Sequence, residues 1–98
     1  MNRPLVYLPE AEDDIAATYR SYQLERHGLG DQFKSALRRT LDAVEERPFS
    51  FAVYWKDVRT ALLRRFPYVV YFRVESDRIL AIAVQHARRS AGGWKART

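Results

Sequence analysis

Residues 68–87 read YVVYFRVESDRILAIAVQHA, and their alternation decides the fold class. Tyr68, Val70, Phe72 and Val74 fall on one side of an extended chain, with Val69, Tyr71 and Arg73 on the other. Ser76-Asp77 is a polar two-residue connection of the length a tight hairpin uses, without the glycine such turns favour. A second strand follows over residues 78–87, in which Leu80, Ile82, Val84 and His86 are expected on one face. Upstream, residues 58–65 are extended in character until Phe66-Pro67 interrupts them. Three strands so connected make an antiparallel meander.

Toward the N-terminus the period changes. Leu5, Val6, Tyr7 and Leu8 form a short apolar run that fits a buried strand, and Pro9 suits the first turn of a following helix. Over residues 9–26, Ala11, Ile15, Tyr19 and Tyr22 recur at helical spacing. Gly28-Leu29-Gly30 breaks that helix, and Asp31 is a good N-cap for the next. In the second helix Phe33, Leu37, Thr40, Leu41 and Val44 repeat until Pro48. The short break predicts an antiparallel helical hairpin, with Arg38, Arg39, Asp42, Glu45 and Glu46 on its wet face. Residues 49–57 hold four aromatics and are expected as a loop that caps the core. The order is β-α-α-β-β-β, an α+β fold with the hairpin covering one side of a small, mainly antiparallel sheet.

A chain of 98 residues makes one domain, 1–98, in which the basic residues 88–98 are expected as a flexible tail that frays unless Trp94 docks. There is no cysteine, which excludes disulfides, thiolate metal sites and cysteine nucleophiles. The start MNRPLVYLPEAEDD has too short an apolar stretch for a signal peptide or a membrane span, so a cytoplasmic protein without membrane contact is expected. Net charge is +5, unevenly spread: residues 1–49 sum to −2 and residues 50–98 to +7. An acidic or polyanionic partner at one end of the molecule follows from that asymmetry.

Catalytic patterns are sparse. No serine elbow, phosphate loop or dinucleotide fingerprint is present, and the two histidines, His27 and His86, are far apart in sequence. Glu10, Glu12, Asp13 and Asp14 crowd the start of the first helix, where negative charge suits the helix dipole better than it implies a metal. Neither metal nor cofactor is expected. Metal-free cleavage of RNA needs a base, an acid and cations for the charged phosphorane. Arg59, Arg64, Arg65, Arg88 and Arg89 are candidate cations and His86 a candidate base or acid.

The layout, PEAEDDI opening the first helix, GLGDQF opening the second, LLRRFPYVVYFRV over residues 62–74 and HARR over residues 86–89 together resemble the RelE/ParE toxin superfamily. The likeness covers almost the whole chain. It implies a bacterial toxin of a type II toxin–antitoxin pair, neutralised by a cognate antitoxin. RelE-type members cleave messenger RNA on the ribosome, whereas ParE-type members poison DNA gyrase by binding. The nuclease members carry lysines on the second strand, an arginine on the third and a tyrosine or histidine near the C-terminus. Here Thr60 and Leu62 stand at the lysine positions and Val69 at the arginine; His86 alone fits. The resemblance therefore implies ParE-like binding to gyrase through Arg59, Arg64, Arg65, His86, Arg88, Arg89 and Trp94. The alternative is a RelE-like ribosome-dependent endoribonuclease using His86, Arg64 and Arg65. Ile15, Tyr19, Tyr22, Phe33 and Leu37 are the expected antitoxin contacts.

Overall fold

The computed structural model describes residues 3–89 and 92–98. Strand β1 (Leu5–Tyr7) leads into helices α1 (Pro9–Glu25) and α2 (Leu29–Glu46), then a 3-10 turn (Pro48–Ser50). Strands β2 (Val53–Trp55), β3 (Val58–Leu62), β4 (Tyr68–Val74) and β5 (Ile79–His86) follow, and a second 3-10 turn (Gly93–Arg97) ends the chain. The sheet order is β1-β5-β4-β3-β2, with β1 parallel to β5 and the other pairs antiparallel. The α+β class therefore holds, with one strand more than the sequence predicts.

That extra strand lies in residues 49–57, read above as a loop. β2 and β3 are joined by Lys56-Asp57, and Lys56 takes φ 52, the left-handed conformation a tight turn needs. Glycine or asparagine normally announces such a turn. A lysine there carries no signal, so the hairpin is silent in the sequence.

α1 starts with Pro9 in its first turn, as expected. The N-cap of α2, however, is Gly28 at φ 90, and Asp31 lies in the first turn without capping. The orphan donors are met from the preceding helix: Gln23 Oε1 accepts the N–H of Gly28 (3.0 Å) and of Gly30 (2.8 Å). Gly30 itself permits the close helix crossing, since a Cβ there would lie 2.7 Å from the Tyr19 carbonyl oxygen. From α2, Phe33, Leu37, Leu41 and Val44 pack on the sheet against Val70, Phe72, Ile79 and Val84.

The far face of the sheet is also covered. Val58, Tyr71, Leu80, Ile82 and Ala83 form a second apolar cluster around Trp94, which is 1% exposed. Its indole stacks on Tyr71 with ring centroids 4.3 Å apart and meets Trp55 edge-on at 5.7 Å. The end of the tail is thus docked through Trp94, while Arg88 and Arg89 stay exposed.

The predicted common face for Leu80, Ile82, Val84 and His86 is not observed. Tyr71 pairs with Ala83 but Phe72 with Ala81, so Ile82 is the extra residue of a β-bulge. The bulge reverses the strand's parity. Leu80 and Ile82 face Trp94, while Val84 lies under the helices and His86 pairs with Tyr68.

An ion pair seals this strand edge where β1 has ended. Asp14 Oδ2 accepts the Val84 N–H at 3.0 Å, and Arg97 donates to the Ile82 carbonyl at 3.0 Å. The two side chains grip each other at 2.7 and 3.1 Å. Together they take the place of a neighbouring strand's acceptor and donor. The hydrogen bonds it donates to Asp14 also hold the Arg97 guanidinium above its ordinary range. Asp14→Ala would strand a buried N–H and unpair a mostly buried arginine, so it should cost about 1–3 kcal/mol. Urea denaturation of Asp14→Ala, Arg97→Ala and the double variant should show a coupling of at least about 1 kcal/mol; additive losses would refute the clamp.

Candidate functional site

The sheet topology brings two basic segments to one end. Arg64 and Arg65 occupy the turn between β3 and β4, and Arg88 and Arg89 follow β5. Tyr68 pairs with His86, and the Ala87 N–H donates to the Pro67 carbonyl at 2.8 Å, so the turn and the end of β5 are side by side. All four arginines are exposed, and among the described residues none has an ion-pair partner. Arg65 sits at φ 71, a left-handed conformation that reaches across the tight β3–β4 turn.

Behind the arginines lies an aromatic row. His86 meets Tyr68 edge-on at 5.3 Å, Tyr68 meets Tyr22 at 6.0 Å, and Tyr22 meets Phe66 at 5.2 Å. Tyr22 came from the helical stripe and Tyr68 from the strand pattern, so only the tertiary fold unites them. Burial, reinforced by the neighbouring Tyr68 and Glu25, raises the Tyr22 phenol above its usual pKa. It remains a neutral donor and not a phenolate base.

His86 is held by its own chain. Its Nδ1 accepts the Arg88 backbone N–H at 3.1 Å, which leaves the neutral ring's proton on Nε2. In that tautomer the free nitrogen is a hydrogen-bond donor. The positions where the resemblance puts nuclease cations are apolar or neutral. Leu62 and Val69 are register partners, and Leu62 is 66% exposed.

The other expected contacts scatter. Arg59 donates to the carbonyls of Phe51 (2.6 Å) and Phe49 (3.5 Å) and lies over the Phe49 ring at 5.2 Å. It ties the 3-10 turn to β3, five residues and roughly 16 Å of strand from Arg64. Trp94 is enclosed on the far face and offers no contact surface. Of the expected antitoxin contacts, Phe33 is fully buried and Leu37 nearly so. Ile15, Tyr19 and Tyr22 are half-buried on α1.

Two grooves flank α2. The smaller, about 450 Å³, runs between α1 and α2, floored by Ile15, Ala16, Leu37 and Leu41 with Lys34 and Arg38 at its rim. The larger, about 1100 Å³, lies between α2 and the β3–β4 turn and is lined by Phe51, Phe66, Arg39, Arg64 and Arg65. No described helix is long and apolar enough to cross a membrane. Among the described residues no group of three or more histidine or acidic side chains is placed to hold a metal ion.

Comparison with solved structures finds a similar fold in the "Chromosomal ParDE TA system from P. aeruginosa", with a TM-score of 0.76 at 19% identity. The match covers 86% of this chain and 95% of that one. Comparison with curated proteins gives no match. The family model for the ParE toxin of the type II toxin–antitoxin system parDE matches residues 5–91, a span that takes in the helical hairpin, the whole sheet and the basic end. The chain belongs to the ParE toxin family of type II toxin–antitoxin systems.

Proposed function

We propose that this ParE toxin inhibits DNA gyrase by non-covalent binding through its basic end, and that a cognate antitoxin neutralises it. The observation that carries this reading is the composition of the end itself. Among the described residues Arg64, Arg65, Arg88 and Arg89 have no ion-pair partner, so they are ready to meet an acidic surface or DNA phosphates held by the target. A nuclease would need a base and cations at fixed positions. Leu62 and Val69 stand where the resemblance to nuclease members puts such cations.

The groove between α1 and α2 suits the apolar face of an antitoxin helix, with Ile15 and Leu37 as floor and Lys34 at its rim. Such a segment orders on binding, as charged and weakly apolar chains do.

Purified toxin added to gyrase should inhibit supercoiling, or trap the cleaved DNA complex, at ratios up to equimolar. The product of the neighbouring reading frame should reverse the effect. Unimpaired gyrase together with codon-positioned cuts in translated message would overturn the reading in favour of ribosome-dependent cleavage.

A further inference from the structure

Two described residues other than glycine hold a positive φ, Lys56 at 52° and Arg65 at 71°. That left-handed region is disfavoured for an L-residue with a long side chain, because Cβ crowds the following carbonyl oxygen. Residues kept in it gather where a site uses them. Lys56 is compensated inside the fold: its ammonium lies 4.6 Å from the centre of the Trp55 ring. Arg65 is not. It is exposed, and among the described residues its guanidinium makes no ion pair and lies over no aromatic ring.

The turn that carries Arg65 is fixed on both flanks. Leu63 donates its N–H to the Tyr68 carbonyl at 2.9 Å, and Tyr68 donates to the Phe66 carbonyl at 2.8 Å. The Ala87 N–H holds the Pro67 carbonyl at 2.8 Å. The Phe66 ring packs edge-on against Tyr22 at 5.2 Å and Phe33 at 5.8 Å. Reversing the chain within residues 64–67 uses one left-handed residue, a place that glycine fills without strain. Arginine stands there instead, and its side chain contributes no contact to the fold that would offset the strain. None of Arg64, Arg88 and Arg89 shares the positive φ.

We infer that Arg65 is the specificity-determining residue of the basic end. Rooted on a strained turn fixed on both flanks, its guanidinium grips one oxyanion of the target through two parallel N–H···O bonds, while Arg64, Arg88 and Arg89 supply a diffuse attracting field. The inference rests on the gyrase reading above and ranks four arginines that net charge treats alike. A donor whose backbone is already fixed loses less freedom on binding. The guanidinium fork matches carboxylate and phosphate geometry, so the oxyanion is a carboxylate of the enzyme or a phosphate of the DNA it holds.

Arg65→Gly in the full-length toxin separates fold from function. Glycine relieves the left-handed strain, so the melting temperature should rise by about 2–6 °C. The concentration needed to inhibit supercoiling should rise at least ~30-fold. Arg65→Asn also tolerates the left-handed region and should lose inhibition to the same extent. Arg65→Lys keeps the charge without the fork and should lose at least ~10-fold. Arg64→Gly and Arg88→Ala should each lose less than ~5-fold, and Lys56→Gly should inhibit as the parent does. Weakened binding to DNA-free gyrase would mark a carboxylate, and weakening confined to the gyrase–DNA complex a phosphate; either result supports the assignment. An Arg65→Gly or Arg65→Asn loss no larger than that of Arg64→Gly would overturn it and leave the gyrase reading intact. Arg65→Lys inhibiting like the parent would remove the two-bond grip. A melting temperature that fails to rise on Arg65→Gly would show that the arginine serves the fold, and would also overturn the assignment. Parent toxin without effect on gyrase would overturn both readings.

Discussion

Trp94→Ala should lower the stability of the domain by about 3 kcal/mol, although it removes a side chain from a segment that reads as a loose tail. Truncating a buried tryptophan to alanine costs about 3–5 kcal/mol through lost burial and the cavity left behind. The lower end applies here, because the indole Nε1–H has no hydrogen-bond partner among the described residues and so carries its own desolvation cost. For a domain of this size the loss corresponds to a fall in melting temperature of roughly 12–24 °C. Trp94→Phe separates packing from that polar group. It keeps the stack on Tyr71 and the edge contact with Trp55 while deleting the unpaired N–H, and it should cost less than about 1.5 kcal/mol. Calorimetry on both variants checks the pair. A Trp94→Ala protein as stable as the parent, with weakened gyrase binding, would return Trp94 to the role of a surface contact.

The second large effect concerns the basic end. Arg64→Glu combined with Arg65→Glu should raise the toxin concentration needed to inhibit supercoiling about 100-fold, equivalent to about 3 kcal/mol of binding. Both side chains are exposed and make no ion pair among the described residues, so the fold should lose no more than about 0.5 kcal/mol for each. Glutamate at position 65 meets the same left-handed backbone as arginine does, so the turn is not newly strained. His86→Ala gives the matching control. If the toxin acts by binding gyrase, this change should alter inhibition by less than about threefold, since the ring is turned to its own backbone and to Tyr68. If the protein were a nuclease depending on His86, the same change would abolish growth arrest. Growth arrest that survives the double arginine reversal undiminished would remove the basic end from the mechanism.

These two predictions fall on either side of what could be read without a structure. The strand alternation from Tyr68 to Val74, the helical stripe of Phe33, Leu37, Leu41 and Val44, and Pro9 opening a helix are local patterns. Each is written in residue periodicity, and each agrees with the element it belongs to. The motifs over residues 62–74 and 86–89 carried the resemblance to the superfamily, and the sheet brings them side by side: Tyr68 and His86 are register partners. The gathering of Arg64, Arg65, Arg88 and Arg89 was also within reach, because a hairpin returns the end of β5 to the start of β4.

What periodicity could not supply depends on contacts between distant residues. The bulge at Ile82 turns the second half of β5 over, and nothing in ILAIAVQH signals it; its unpaired edge is met by Asp14, 70 positions from Val84, and by Arg97, which lies 83 positions from Asp14. Asp14 reads as one more acidic residue at a helix start until the fold sets it beside Val84. Phe33 and Trp94 read as available surface because aromatic residues serve cores and interfaces alike, and only packing decides which. The free edge at Leu62 is invisible for the same reason. A strand's exposed backbone is defined by where its neighbour ends, here at Val53 beside Arg59, and that is a property of the assembled sheet and not of the strand's own residues.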